Sequence, residues 1–402
     1  MNFIPLNLTD IKGNVKNSLD ELVNEAPYVT VILGAPGSGK SRLLQDFKDR
    51  NQANVEYTSV EDFLIKKEAV FTKKYLLLDG FDEYRNSNTG KSKTTIIKEL
   101  AQKLEEYVQN GLSITIACRE MDWNGKQDEN ALRNFINIPV KVFRIEPLDD
   151  EQKQKFKESL HLSDTNFNIL DENGFLETPQ LFIMSEKISK GIIQEKMRKR
   201  DLYEKFIECR QESNENNRIN SVNKIELDAF KKSAAYIAFY YMFGDDFQLN
   251  EDNLRKIADA GNGFTFDNLS IVLKSSLIIN GKFCHRTIAE YLAAKAIADR
   301  ALKGLSTERI IKLVSSEDVV YPEYRGVYSW LCAMLELDKL ININPYLQYQ
   351  YGDNSFFTLE QKKKVIAAVR EYSERDPYFY RRGFSLAPKS FYEKGLDTLL
   401  VQ

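Results

Sequence analysis

Residues 28–41 read YVTVILGAPGSGKS, and this stretch decides the fold. Tyr28 to Leu33 is apolar and rich in β-branched residues, which predicts a buried strand. The following residues, Gly34 to Ser41, match the pattern G-x-x-x-x-G-K-[ST]. Lys40 to Asp49 is compatible with a helix. A strand, a glycine-rich loop and a helix in this order form a phosphate-binding loop.

Each residue type in this loop has a physical role. Glycines let the backbone wrap closely around a phosphate with its N–H groups pointing inward. Lys40 is expected to neutralise β- and γ-phosphate oxygens, and the Ser41 hydroxyl to ligate Mg²⁺. The predicted nucleotide-binding residues are Gly34, Ala35, Pro36, Gly37, Ser38, Gly39, Lys40, Ser41 and Arg42.

A second stretch, YLLLDGFDE at residues 75–83, places carboxylates after another apolar strand. Asp79 at the end of that strand is expected to hold a magnesium-bound water beside the phosphate loop. A further carboxylate can orient and deprotonate the attacking water. Asp82 and Glu83 are both candidates for that base, and the sequence does not choose between them.

The remainder of the first 147 residues alternates strands with helices. Ser113 to Cys118 and Val140 to Ile145 predict two more strands, and Thr94 to Gln109 predicts an amphipathic helix. This alternation is typical of an α/β fold, namely a P-loop NTPase with a parallel sheet and helices on both faces.

The pattern changes after Pro147, where nearly all segments are helical. Asp149 or Asp150 can cap a helix that runs to about Leu160. The polar segment from Glu212 to Asn223 resembles a linker. Residues 277–284, LIINGKFC, predict a hairpin on an Asn-Gly turn, followed by a helix from Thr287 to Leu302. Helices followed by a hairpin suggest a winged helix, and residues 304–402 predict a further helical region.

Composition restricts the class of protein. The chain has 402 residues, 43% of them hydrophobic, and a formal net charge of -3, so binding to nucleic acid is not expected. Its four cysteines form no C-x-x-C pair, which argues against a zinc site or a disulfide framework. We see no signal peptide and no apolar segment of membrane-spanning length, so a cytoplasmic location without membrane contact is expected.

The acidic strand end resembles the NACHT family of signal-transduction ATPases within the STAND class. Three other stretches are similar to that family: ITIACR at 114–119, ETPQL at 177–181 and FCHRTIAEYLAA at 283–294. The resemblance covers about residues 20–303. It implies that Arg119 senses the γ-phosphate, that Pro179 touches adenine, and that His285 contacts the β-phosphate of ADP. Thr178 departs from the family, in which glycine or asparagine is more usual at that position.

The resemblance also implies a domain order and a function. We expect a NACHT ATPase domain at 1–147, a helical lid at 148–211, a winged helix at 220–303 and a helical region at 304–402. The implied function is a switch that binds ADP when off, binds ATP with Mg²⁺, self-associates when active and hydrolyses ATP slowly. Lys40, Asp82, Glu83 and Arg119 would carry catalysis. An unknown activating ligand, a separate effector protein and a role in antiviral defence or innate immunity are further expectations.

Two alternatives stay open at this point. An AAA+-like ATPase that loads onto DNA also joins an ATPase to a winged helix, but it predicts an acidic pair directly at the strand end. Here Gly80 and Phe81 separate Asp79 from Asp82. A scaffold that holds ATP without hydrolysing it is the other alternative, and the carboxylates of Asp82 and Glu83 argue against it.

Overall fold

The structure, a computed structural model, describes residues 4–10, 12–23, 29–66, 72–88, 91–172, 176–188, 198–215, 226–244, 247–260, 263–316, 319–335, 338–348, 353, 357–375 and 396. These fall into two compact units. The first takes in the described parts of Met1–Ser163 and Phe175–Ile183, and the second those of Asp164–Gly174, Met184–Pro377 and Ser385–Gln402. The predicted segment at 216–223 and most of 376–402 lie outside the described residues.

The strands are β1 (Leu8–Asp10), β2 (Val15–Lys16), β3 (Val29–Gly34), β4 (Val55–Ser59), β5 (Tyr75–Asp79), β6 (Ser113–Arg119), β7 (Val140–Ile145), β8 (Ile278–Ile279), β9 (Lys282–Phe283), β10 (Ser315–Ser316) and β11 (Val319–Val320). The helices are α1 (Leu19–Val23), α2 (Lys40–Arg50), α3 (Val60–Ile65), α4 (Phe81–Ser87), α5 (Lys93–Gln109), α6 (Lys126–Ile136), α7 (Asp150–Ser159), α8 (Asp164–Glu172), α9 (Pro179–Ile188), α10 (Lys199–Glu215), α11 (Leu227–Phe243), α12 (Glu251–Asp259), α13 (Phe266–Leu273), α14 (Arg286–Ala301), α15 (Thr307–Val314), α16 (Arg325–Leu335), α17 (Asp338–Ile341) and α18 (Leu359–Arg375).

A mostly parallel sheet of seven strands forms the centre of the first unit, in the order β2-β1-β7-β3-β6-β5-β4. The five strands from β7 to β4 are parallel, and β1 and β2 add an antiparallel edge. All four strands predicted in this part of the sequence are confirmed. The edge strands β1, β2 and β4 were not predicted, because their short polar segments give little periodic signal.

Both faces of the sheet are covered by helices. Every residue of β3 is buried, as expected for a central strand of a parallel sheet. Val29, Val31 and Leu33 belong to a core that also holds side chains of α3 to α6. Residues on the opposite face follow the strand alternation, and there Tyr75 of β5 packs edge-on against Phe47 of α2, with 5.3 Å between ring centroids. We call this second surface the α2 face.

Two predictions for the later helices are confirmed in the structure. Asp149 caps α7 and makes a capping box with Gln152. Strands β8 and β9 pair as the predicted hairpin, and its two turn residues, Asn280 and Gly281, both have positive φ. The predicted linker at 212–223 is wrong at its start, because α10 continues through Glu215. The four predicted domain boundaries stay predictions.

Among the described helices, none combines the length and the apolar character that a bilayer crossing requires.

Candidate phosphate and magnesium site

The predicted phosphate loop joins the end of β3 to the start of α2. Gly37 and Gly39 have φ values of 77° and 95°, a region that side chains with a Cβ rarely adopt. A Cβ on Gly37 would also lie 2.2 Å from Oε1 of Gln180. Glycine is therefore required at position 37 by both the backbone and a neighbouring side chain.

Lys40 folds back over this loop. Its Nζ donates hydrogen bonds to the carbonyl oxygens of Gly34, at 2.9 Å, and of Ala35, at 3.0 Å. Desolvation lowers the pKa of Lys40, and the nearby charge of Asp82 opposes this effect. A phosphate brings anionic oxygens to the same ammonium group, so its binding would relieve part of the desolvation cost.

The Ser38 hydroxyl gives a direct test of whether the loop suits a phosphate. Ser38 is buried, and its Oγ has no hydrogen-bond partner among the described residues. A buried hydroxyl without a partner costs roughly 1–3 kcal/mol. Phosphate oxygens are strong acceptors, so a bound nucleotide would satisfy this donor. The loop therefore fits the group that its sequence predicts.

Asp79 at the end of β5 is held by two hydrogen bonds. Its Oδ1 accepts from the backbone N–H of Gly80, and its Oδ2 accepts from the hydroxyl of Tyr57, each at 2.9 Å. Burial and the charge of Asp79 raise the pKa of Tyr57, so the hydroxyl keeps its proton and acts as a donor. The carboxylate is thus fixed in orientation while it keeps lone pairs for a further ligand.

The two candidate bases have different surroundings. Asp82 is buried, and its Oδ2 lies 2.9 Å from Nε of Arg119 while its Oδ1 accepts from the Arg119 backbone N–H at 3.2 Å. Glu83 is exposed at the start of α4, on the side of Gly80. Asp82 therefore already holds Arg119, whereas the Glu83 carboxylate can reach a water.

Strand alternation explains why these side chains converge. Asp79 and Arg119 both lie on the α2 face, since Leu78 and Cys118 beside them belong to the opposite core. Gly34 and Arg119 are register partners, and β6 separates β3 from β5. The carboxyl ends of parallel strands meet at one edge, which is where α/β folds bind ligands. The structure thus brings Lys40, Asp79, Asp82 and Arg119 together.

The same edge offers oxygen ligands that suit Mg²⁺. The Ser41 side chain is exposed at the start of α2, next to Lys40, and Arg42 beyond it is exposed as well. Mg²⁺ prefers hard oxygen ligands and is usually bound through one or two carboxylates together with substrate phosphates. The hydroxyl of Ser41 and the carboxylate of Asp79 fit this requirement.

The start of α9 lies directly on the phosphate loop. The backbone N–H of Gln180 donates to the carbonyl of Gly37 at 3.3 Å, and a Cβ on Gly39 would lie 3.6 Å from Cγ of Pro179. Thr178 precedes the helix, and the N–H of Leu181 points to its Oγ1 at 3.5 Å. Threonine is a favoured residue at a helix N-terminus.

His285 belongs to the second unit and is described there. It precedes α14 as its N-terminal cap, and its carbonyl accepts from the N–H of Ile288 at 3.1 Å. The ring centroid of Phe206 lies 6.5 Å from that of the imidazole. Desolvation, with the charge of Arg210 second, lowers the pKa of His285. The imidazole is therefore neutral at neutral pH.

Two residues of the first unit were missed by sequence reasoning. Tyr57 lies on β4, which is too short to give a clear periodic pattern. Its hydrogen bond to Asp79 joins β4 to the neighbouring strand β5. Gln180 follows Pro179 in the stretch 177–181, where only the proline has a role implied by the family resemblance. A strand assignment for residues 55–59 could have found Tyr57, because it would place its side chain on the face of Asp79.

Comparisons with known proteins give low similarity. No protein-family model matches the chain, and no curated protein sequence matches it. Among solved structures, the Thermotoga maritima RuvB Holliday junction branch migration motor aligns at 14% identity and a TM-score of 0.30, covering 65% of this chain and 89% of that one. The replication initiator DnaA, bound to AMPPCP and single-stranded DNA, aligns at 16% identity and a TM-score of 0.33, covering 91% of this chain and 89% of that one.

Proposed function

We propose that the chain binds ATP or ADP with Mg²⁺ at the edge of the sheet and hydrolyses ATP slowly. The observation that carries this proposal is the cluster of Lys40, Asp79, Asp82 and Arg119 around the end of β3. A loop of glycines alone could be structural, but the Ser38 hydroxyl is buried without a partner among the described residues, and Lys40 and Arg119 lie at the same strand end, which suits an anion.

Each residue of the cluster has a part in this proposal. Lys40 would leave the Gly34 and Ala35 carbonyls and contact the β- and γ-phosphates. Mg²⁺, when bound, would neutralise phosphate charge between Ser41 and Asp79. Arg119 would exchange part of its contact with Asp82 for the γ-phosphate, and so report whether ATP or ADP is present.

Glu83 is the better candidate for the general base. Asp82 is buried and forms an ion pair with Arg119, whereas a base must lie within hydrogen-bond reach of its water. Glu83 is exposed near Gly80. In this assignment Asp82 orients Arg119, and Glu83 orients and deprotonates the attacking water.

We further propose, on the resemblance to the NACHT family, that nucleotide controls a switch. ADP would hold the off state with help from Pro179 at adenine and His285 at the β-phosphate. ATP would favour a state that self-associates in response to an activating ligand and acts through a separate effector, in antiviral defence or innate immunity. A ligand shifts such an equilibrium only if it binds the two states with different affinity.

The first test is the identity of any nucleotide released from purified, heat-denatured protein, together with steady-state ATP turnover. Stoichiometric ADP and slow turnover would support a closed switch, whereas a nucleotide-free protein with fast turnover would contradict it.

Glu83→Gln should lower turnover by roughly 10²-fold or more with ATP affinity retained. Asp82→Asn is the matched variant and should lower turnover through Arg119, whereas wild-type turnover in Glu83→Gln would contradict the base assignment.

A second candidate function is an ATPase that loads onto DNA. The β8–β9 hairpin between α13 and α14 favours it, because this order of elements occurs in DNA-binding winged helices. Binding of duplex DNA that falls steeply with salt would support this function. Absence of binding at low salt would remove it.

A further inference from the structure

We propose that Tyr57 is a positioning residue for magnesium, acting through its hydrogen bond to Asp79. This proposal rests on the function given above and names a residue that the phosphate-loop and acidic motifs do not contain. Tyr57 would not touch the metal ion or the nucleotide. It would fix the direction in which the Asp79 carboxylate faces the metal-bound water.

The register of β4 and β5 places the tyrosine on the correct face. Tyr57 pairs with Leu77, and Ser59 pairs with Asp79. Residues two apart on a strand share a face, so Tyr57, Ser59 and Asp79 all lie on the α2 face. From its position two residues before the strand end, the long phenol ring brings its hydroxyl to Asp79 Oδ2 at 2.9 Å.

Helix α2 contacts the Tyr57 ring on the α2 face of the sheet. Nζ of Lys48 lies 5.3 Å from the centroid of the Tyr57 ring, which is a cation–π distance. Lys48 is two turns after Ser41 on the same helix. The Tyr57 side chain therefore contacts both the helix that begins at the phosphate loop and the strand that ends at Asp79.

The hydrogen bonds on Asp79 leave a defined direction for a metal-bound water. One bond from the Gly80 N–H and one from the Tyr57 hydroxyl occupy one lone pair on each oxygen. Mg²⁺ demands near-ideal octahedral geometry, so a carboxylate that can rotate is a poorer partner than a fixed one. Groups that orient metal ligands typically change metal affinity by roughly 10–100-fold when they are removed.

The test measures magnesium binding and does not depend on ATP hydrolysis. Mg²⁺ is titrated into the 402-residue protein together with fluorescent mant-ADP, starting from EDTA, and the apparent dissociation constant for Mg²⁺ is obtained from the fluorescence of the nucleotide. Tyr57→Phe keeps the ring between α2 and the sheet and removes only the hydroxyl. We expect the apparent Mg²⁺ dissociation constant to rise roughly tenfold, with the affinity for mant-ADP in EDTA unchanged.

Tyr75→Phe is the matched control. Tyr75 lies on the same face at the opposite end of β5, four residues before Asp79, and packs on Phe47. The Tyr75→Phe substitution should leave the apparent Mg²⁺ dissociation constant unchanged. In an Asp79→Asn background, Tyr57→Phe should have no further effect on that constant, because the tyrosine acts only through the aspartate.

The outcomes separate this inference from the proposed function. The proposed function itself would be contradicted if wild-type protein bound no mant-ADP, or bound it with the same affinity with and without Mg²⁺. Mg²⁺-dependent binding in wild type with an unchanged constant in Tyr57→Phe would overturn only the role of Tyr57. That role would also be overturned if Tyr57→Phe raised the apparent Mg²⁺ dissociation constant by the same factor in the Asp79→Asn background, because the hydroxyl would then act by another route.

Discussion

Carboxylates are used differently in two regions: the sheet edge with Lys40, Asp79, Asp82 and Arg119 in the first unit, called the phosphate edge, and helices α10, α11 and α14 in the second. At the phosphate edge, Asp79 ends β5 and Asp82 lies in the first turn of α4, and each is held by one neighbouring side chain, Tyr57 and Arg119 respectively. In the second unit, Glu204 bonds to Lys231 at 2.9 Å, to the hydroxyl of Tyr291 at 2.6 Å and to Lys295. There the charges tie three helices together.

The family-like segment at 283–294 illustrates the difference. Glu290 is 1% exposed, accepts from Nε of Arg286 at 3.1 Å, and lies so close to Gly326 that a Cβ there would collide with it. Tyr291 and Leu292 are buried too. Most polar groups of this segment thus serve packing, and His285 alone keeps a proposed ligand role. A motif can therefore mark a site in one region and a helix junction in another.

The largest expected effect concerns the ion pair beneath the phosphate edge. The Arg85 guanidinium binds both oxygens of Asp128, at 2.6 and 2.8 Å, and both side chains are at most 2% exposed. Arg85→Ala leaves the Asp128 charge buried without its partner, which should cost about 3–5 kcal/mol. The free energy of unfolding of the first unit can be followed by Trp123, because the only other tryptophan, Trp330, reports on the second.

A double variant sharpens this prediction. Arg85→Met with Asp128→Leu replaces both charges by apolar groups of similar size, and it should recover most of the lost stability. Arg85 also donates to the carbonyl of Asp122, just after Arg119, so ATP turnover in the double variant should stay below wild type. Full recovery of turnover would show that the pair only stabilises the fold.

The strands that form the phosphate edge were predictable from the sequence for a physical reason. Four apolar segments were correctly assigned to strands, and parallel strands necessarily bring their carboxyl ends to one edge. Alternation within a strand then fixes the face of each end residue, which is why Asp79 and Arg119 lie on the same face. Backbone rules of this kind need no knowledge of side-chain packing.

Contacts between distant side chains were not predictable in the same way. Arg85 and Asp128 are 43 residues apart in the chain, and Tyr57 and Asp79 are 22 apart. Charged residues are frequent here, at 29% of the sequence, so their pairing cannot be chosen without coordinates. The same holds for Glu204, whose partners come from two other helices.

Replacement of Glu204 is expected to have an intermediate effect on the free energy of unfolding of the second unit. Burial opposes its ionisation, but hydrogen bonds from Lys231, Lys295 and Tyr291 outweigh burial and lower its pKa to about 2 from an ordinary 4.5. The lowered pKa stabilises the fold above about pH 4.5, and this stabilisation is lost as pH falls towards 2. Glu204→Gln should therefore cost roughly 2 kcal/mol at pH 7, after allowance for solvent screening, and reduce the loss of stability between pH 5 and about pH 3.

Urea unfolding of the second unit, followed by Trp330, measures this effect because Tyr291 packs against that tryptophan at 4.9 Å. Glu360→Gln on α18, in a more exposed pair with Lys363, is the control and should leave the unfolding midpoint at pH 7 unchanged. If the stability of Glu204→Gln fell with pH as steeply as that of wild type, other groups would be shown to dominate the loss of stability in acid.

The smallest expected effect compares one glycine from each region. Gly281 in the hairpin turn has φ of 71°, and a Cβ there would meet nothing within 4 Å, so Gly281→Ala should cost only the conformational strain of about 1 kcal/mol. Gly37→Ala adds a collision with Gln180 to the same strain. It should therefore weaken mant-ADP binding, while Gly281→Ala should lower only the unfolding midpoint followed by Trp330. Equal nucleotide affinity in both variants would mean that Gln180 yields easily, and that the start of α9 does not hold the loop.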